Sequence, residues 1–150
     1  MLDDKNLKIV SGSWDDLAQD ARVIREAVFI QEQQIAPEDE WDAEDTISTH
    51  FVAYLQDQAV ATARLLKNHS IGRVAVLQSA RGTGIGYKTM RAVIDQAKAE
   101  QRKFVKLSSQ VHAIGFYQNL GFDVRGEEYL DCGIPHIDMY LSLKDCLVLK

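Results

Sequence analysis

The stretch Gln78-Ser79-Ala80-Arg81-Gly82-Thr83-Gly84-Ile85-Gly86 carries the most specific chemistry in this chain of 150 residues. Glycines at 82, 84 and 86 have no Cβ, so neighbouring backbone N–H groups can turn inward around an anion. A helix beginning at Ile85 adds roughly half a positive charge at its N-terminus. Such a loop can cradle a phosphate or a pyrophosphate. Two nucleotide-binding patterns fail at one residue. A Walker A loop requires GxxxxGK[ST], but Gly82-Thr83-Gly84-Ile85-Gly86-Tyr87-Lys88-Thr89 has Tyr87 where the last glycine belongs. The dinucleotide fingerprint GxGxxG fails there too, and the following strand ends in Ser108-Ser109 where a ribose-binding acid is needed. That strand, Phe104 to Leu107, also offers no aspartate for magnesium.

Charge is segregated along the chain. The whole carries 17 basic and 22 acidic side chains, a net −5, which argues against general nucleic-acid binding. Residues 1–63 hold 4 basic and 14 acidic groups, residues 64–106 hold 10 and 2, and residues 107–150 hold 3 and 6. The glycine loop therefore lies in a cationic island suited to a small polyanion. The acidic run Glu38, Asp39, Glu40, Asp42, Glu44 and Asp45 biases the local potential toward a cationic second partner. Cys132 and Cys146 form no CxxC pair and no disulfide framework, so they read as free intracellular thiols, and no metal is expected. No apolar run approaches the roughly 18 residues of a membrane span, and the acidic start Met1-Leu2-Asp3-Asp4 is unlike a signal peptide. The expectation is a cytoplasmic protein without membrane or nucleic-acid partners, one domain over residues 1–150 at about 150 residues per domain.

The elements that must hold the loop follow from periodicity. Leu7 to Val10 reads as a strand; Ser13 and Asp16, in capping-box spacing, open a helix through Leu17, Ala21, Ile24 and Val28 that ends near Gln33. Ala36-Pro37 and the acidic run read as a loop. Phe51 to Leu55 and Ala59 to Leu66 form a hairpin around Gln56-Asp57-Gln58, and Ile71 to Leu77 is a third extended run. Met90, Val93, Ile94 and Ala97 recur at helical spacing, predicting a helix from Ile85 to Gln101. Phe104 to Leu107 is a strand, and Ser109 to Leu120 is predicted helical with Gly121 just past its end. A strand begins at Phe122 to Val124, and Ile137, Met139, Leu141 and Leu143 alternate with polar residues as in a half-buried strand. The order β-α-β-β-β-α-β-α-β-β predicts an α/β protein: one mixed, mostly antiparallel sheet flanked by helices, with one parallel βαβ crossover around the glycine loop.

Arg81 to Gly86 fits R-x-x-G-x-G, and with Ala113-x-x-Phe116-Tyr117-x-x-Leu120-Gly121-Phe122 the chain resembles the GNAT N-acetyltransferase superfamily. Arg25-x-x-Val28-Phe29-x-x-Glu32-Gln33, Ala63-Arg64-Leu65, Gln110-x-His112 and Gly133-Ile134-Pro135-His136 resemble its ElaA-like branch. The resemblance implies a single-domain GNAT fold and an acetyl group moving from acetyl-CoA to a primary amine, small molecule or peptide, by direct attack in a ternary complex. It also implies which residues hold the co-substrate: Arg81, Gly82, Thr83, Gly84, Ile85 and Gly86 at the pyrophosphate, and main-chain groups of Val74, Ala75 and Val76 at the thioester. Tyr117 matches the family's general acid. A phenol of pKa about 10 can protonate a departing thiolate whose conjugate acid lies near 8.5 when the two are held together.

The proton acceptor is not carried over. Many relatives place a glutamate on the strand before the loop, and Ile71 to Leu77 has no carboxylate. His112, with an ordinary pKa near 6.5, is the first candidate, with Glu32 and His50 as rivals. His69 has no motif support, and His136 matches a branch feature without an assigned role. Ser108 stands where some relatives have an asparagine contacting the CoA arm, and Arg64 is expected to face the acceptor pocket. The missing strand carboxylate also supports an alternative, a non-catalytic acyl-CoA-binding sensor. Edge strands and exposed helix faces leave room for a homodimer.

Overall fold

A computed structural model describes residues 6–143. Met1 to Asp4 and Cys146 lie outside the described residues. Seven strands form one sheet: β1 (Leu7–Gly12), β2 (Thr49–Leu55), β3 (Gln58–Leu65), β4 (Ser70–Val76), β5 (Phe104–Gln110), β6 (Asp123–Asp131) and β7 (Ile134–Ser142). Their spatial order is β1-β2-β3-β4-β5-β7-β6, and among the described residues only the central β4/β5 pair is parallel. The expected strand and helix order is present, with the βαβ crossover made by α3 (Ile85–Ala99).

Helix α1 (Trp14–Arg25) starts where the Ser13 hydroxyl accepts the Asp16 N–H. Leu17, Ala21 and Ile24 then point into a cluster with Val52 and Ala75, covering one face of β2 to β4. The chain continues as a π-helical turn over Glu26–Glu32. On the other face, Met90, Val93, Ile94 and Ala97 of α3 pack with Phe51, Val105, Phe122 and Met139. Full burial of each large side chain there contributes about 1.5–3 kcal/mol. Among the described residues no helix is long and apolar enough to cross a membrane.

Two boundaries differ from the sequence reading. The acidic segment is not a bare loop: Pro37 opens α2 (Pro37–Glu40), and Asp42 caps a short 3-10 turn over Ala43–Ile47. Proline suits a first helical position because its missing N–H has no partner there in any case. The helix expected from Ser109 begins later. Ser109 and Gln110 stay in β5, paired with Ile137 and His136 of β7, and a 3-10 turn (Val111–Ala113) precedes α4 (Ile114–Gln118). Cross-strand pairing overrides the helical pattern at these two residues.

The parallel pair is short. β4 and β5 are in register only at Ser70↔Lys106 and Ile71↔Leu107. Beyond this, Arg73 has a φ of +51° and the β3/β4 register shifts between Thr62 and Arg64. An extra residue of this kind bends its strand. β4 thus leans away from β5 and leaves a gap in the middle of the sheet.

Candidate active site

The gap opens into a cleft of about 1090 Å³. Its walls come from the π turn, the outer half of β4, the glycine loop, α4, and the β6–β7 hairpin tip. Val76 shows how the strand presents its backbone. Leu77 N–H donates to Val60 on the β3 side, so Val76 turns its N–H and carbonyl toward the gap by strand alternation. The Val76 carbonyl accordingly accepts Arg81 Nε at 2.9 Å. Val74 has the same phase, whereas Ala75 is paired with Thr62 and its side chain is buried beneath α1.

In the glycine loop, the N–H groups of Gly82, Thr83 and Gly84 donate to no other group among the described residues. The first turn of α3 adds its own free N–H groups. Gly84 caps that helix at φ +87°, a left-handed conformation in which a Cβ costs energy. At Gly86 closeness is the constraint: a Cβ would stand 3.3 Å from Val76 Cγ2 and 3.5 Å from Phe116 Cζ. This cradle of free amides, open at Gly82 and Gly84, fits a diphosphate. Thr83 turns its hydroxyl back to the Ala80 carbonyl, and Ile85 is fully buried, so both can offer only backbone to the cleft.

Tyr117 lines the cleft at 9% exposure, with its ring edge-on to Phe116 and Phe122. Its hydroxyl has no protein partner among the described residues. Burial pushes the phenol well above its usual range, so it stays protonated. His112 is exposed at the rim, its Nε2 2.8 Å from Gln110 Oε1, while Gln110 donates to Gln33 at 2.9 Å. Glu32 also lines the cleft, but both its oxygens accept from Arg81, and that guanidinium holds its carboxyl below the usual range. An ionised, paired carboxylate of lowered pKa is a poor proton acceptor.

His50 is outside the cleft. It is 1% exposed, donates Nε2–H to the Asp45 carbonyl at 2.8 Å, and packs against Trp14 with the two rings tilted by 40°. Arg64, expected at the acceptor pocket, is an internal cation at 4% exposure, bonded to Asp42 at 2.7 Å and Asp45 at 2.8 Å. Arg25 bonds Glu40 at 2.6 Å and Asp45 at 2.8 Å, and Arg73 bonds the Glu40 carbonyl at 2.9 Å. The acidic run therefore answers three arginines of its own chain, fastening α2 and the 3-10 turn to α1, β3 and β4. Burial raises the Glu40 carboxyl above its ordinary range more than Arg73 and Arg25 lower it, while Arg64 lowers that of Asp42.

Ser108 turns to the face of the sheet away from α3. Its hydroxyl is bonded to that of Tyr129, which donates to Asp138 Oδ1 at 2.6 Å. Ser109 is buried and bonds the Gln110 carbonyl. His136, without a role in the sequence reading, lines the cleft opposite Gln110. Among the described residues no group of three or more His, Cys, Asp or Glu could hold a metal ion, and Cys132 is an exposed thiol at the hairpin tip.

The sequence and the fold are similar to those of known proteins. The model of the acetyltransferase (GNAT) domain matches residues 17–143. YjcF of Bacillus subtilis, called an uncharacterized N-acetyltransferase, is 34% identical over 137 residues, covering 89% of this chain and 98% of its own. Escherichia coli ElaA is 35% identical over 125 residues, covering 77% and 81%. Its crystal structure superposes with a TM-score of 0.81 over 90% of this chain and 99% of ElaA, at 29% identity. An acyl-CoA N-acyltransferase from Pseudomonas aeruginosa superposes at 0.80, with 31% identity, over 90% and 99%. With the loop, the splayed pair and the family match in agreement, the chain belongs to the GNAT acetyltransferase family, in its ElaA-like branch.

Proposed function

We propose that this protein transfers an acetyl group from acetyl-CoA to a primary amine, by direct attack with both substrates bound. The observation that carries this reading is the β4/β5 gap. Parallel pairing stops after Ile71↔Leu107, and the freed backbone of Val74 and Val76 faces the same cleft as the glycine loop and Tyr117.

Each part has one task. The amides of Gly82, Thr83 and Gly84, with the first turn of α3, hold the diphosphate. A gap-facing N–H of Val74 or Val76 stabilises the oxygen that gains charge as the amine attacks, an effect of about 3–4 kcal/mol for such donors. Tyr117, kept protonated by its apolar surroundings, supplies the proton for the departing sulfur. Arg81 braces the loop against β4 and the π turn through Val76 and Glu32.

An amine panel incubated with acetyl-CoA, with free thiol followed over time, tests this reading. Thiol release that depends on one class of amine, with the acetylated amine found by mass spectrometry, is the expected result. Binding of acetyl-CoA with no release from any amine supports the non-catalytic acyl-CoA sensor instead.

A further inference from the structure

We propose that His136 takes the proton from the acceptor amine, an assignment that rests on the reading of this site as an N-acetyltransferase. Its Nδ1 lies 2.7 Å from the Ile134 carbonyl oxygen. A carbonyl can only accept, so Nδ1 carries the hydrogen, and in the neutral ring Nε2 holds the lone pair. Nε2 has no protein partner among the described residues, although His136 is 9% exposed and lines the cleft. Stacking on Tyr129 at 6.2 Å holds the ring plane. Thus one nitrogen is committed to the backbone and the other is left open toward the substrate space.

The other histidines lack this arrangement. His50 is buried outside the cleft with Nε2–H given to Asp45, and His69 is bonded to Arg102 beside Phe104, away from the cleft. His112 is exposed at the rim and tied to Gln110. The ionisable groups around His136 are Tyr129 and Asp131 on β6, Cys132 at the hairpin tip, Asp138 on its own strand, His112 beyond Gln110, and Asp39, Glu40 and Arg73 across the cleft.

An ammonium group has no lone pair with which to attack. One N–H proton passes to His136 Nε2, and the freed pair forms the C–N bond to the thioester carbonyl carbon. The C–S bond breaks with its electron pair on sulfur, which takes the Tyr117 proton. The second proton lost by the nitrogen restores Tyr117, and His136 returns its proton to solvent. Ammonium and thioester thereby give amide, thiol and one free proton.

The test compares the full chain with His136→Asn, whose side-chain N–H can replace Nδ1–H at the Ile134 carbonyl, and with His136→Gln. The acceptors are the most active alkylamine of the panel and hydroxylamine, which is uncharged at neutral pH and needs no deprotonation. The alkylamine kcat is expected to fall at least about 100-fold in His136→Asn, with loss of the acidic limb of its pH profile. Hydroxylamine turnover is expected to fall less than about fivefold, with acetyl-CoA affinity within about twofold of the parent, because only the proton-accepting step is removed. Equal losses for both acceptors, or a retained acidic limb, would overturn the assignment. Nitrogen-15 spectra of the unaltered protein give a check independent of any variant: His136 must be the Nδ1–H tautomer when neutral, and an Nε2–H tautomer overturns the proposal. A parent that releases thiol with no amine defeats the transferase reading itself, and the assignment with it; a parent that is active beside an unimpaired variant defeats the assignment alone.

Discussion

Both carboxylate oxygens of Glu32 accept from the Arg81 guanidinium, each at 2.7 Å, and Arg81 Nε donates to the Val76 carbonyl at 2.9 Å. One side chain thus joins the end of the π turn, the end of β4 and the start of the glycine loop. The pair is about two-fifths exposed, so its net contribution to stability is at most about 1 kcal/mol. Glu32→Gln is expected to leave turnover within about fivefold of the parent, the equivalent of roughly 1 kcal/mol. Steady-state thiol release checks this; a loss of about 100-fold or more would return Glu32 to the role of proton acceptor.

Gly84→Val tests the phosphate cradle. A Cβ at Gly84 meets nothing within 4 Å, so the added side chain enters open space where the diphosphate is proposed to lie. The φ of +87° adds strain of about 1–2 kcal/mol, which lowers the melting temperature without removing the fold. CoA affinity is expected to fall at least about tenfold, roughly 1.4 kcal/mol, in calorimetry. An unchanged dissociation constant in a folded variant would reject the cradle.

How far the sequence discloses the site depends on how local each feature is. The spacing of Met90, Val93, Ile94 and Ala97 marks α3, and the alternation of Ile137, Met139 and Leu141 marks β7, because each pattern needs only its own element to face the core. The glycine loop is legible for the same reason. The last two residues of β5 are not, because their conformation is set by Ile137 and His136 in a distant strand. The gap depends on the backbone of Arg73, a residue that no turn pattern distinguishes. The acidic run invites an external cation until the fold brings Arg25, Arg64 and Arg73 to it across sequence separations of 15 to 33 residues. One signal could have pointed there: Arg64 stands in Ala63-Arg64-Leu65-Leu66 and Arg73 in Ile71-Gly72-Arg73-Val74-Ala75-Val76, apolar surroundings where an unpaired charge would be costly to bury. The role of His136 depends on the Ile134 carbonyl, which a sequence match cannot orient.

Tyr117→Phe separates chemistry from packing. The ring sits between Phe116 and Phe122 in the core, and phenylalanine keeps those contacts. The lost hydroxyl has no protein partner to leave unsatisfied, so stability should stay within about 1 kcal/mol of the parent. Turnover is expected to drop about 100-fold while CoA affinity is unchanged, as removal of a general acid requires. Equal activity of the two proteins would remove Tyr117 from the proton-transfer step.

His50 gives the protein a stability that depends on pH near neutrality. Burial lowers its pKa from the ordinary 6.5, with the bond to the Asp45 carbonyl only partly opposing this. As pH falls through 6.5 the unfolded chain takes up the proton while the folded protein resists it. Stability is therefore fully present above 6.5 and declines toward the folded-state value, at no more than about 1.4 kcal/mol per pH unit for a single proton. Asp42 acts in a separate window: Arg64 lowers its pKa from 3.8, so the stability it contributes is lost only as pH falls below that value. His50→Gln retains an N–H for the Asp45 carbonyl but cannot titrate. Urea melts from about pH 8 to pH 5 should show a declining stability in the parent and a shallower decline in the variant, with the difference growing below pH 6.5. Parallel curves would mean that His50 is protonated as readily in the fold as out of it, and that its place beneath Trp14 costs the imidazolium nothing.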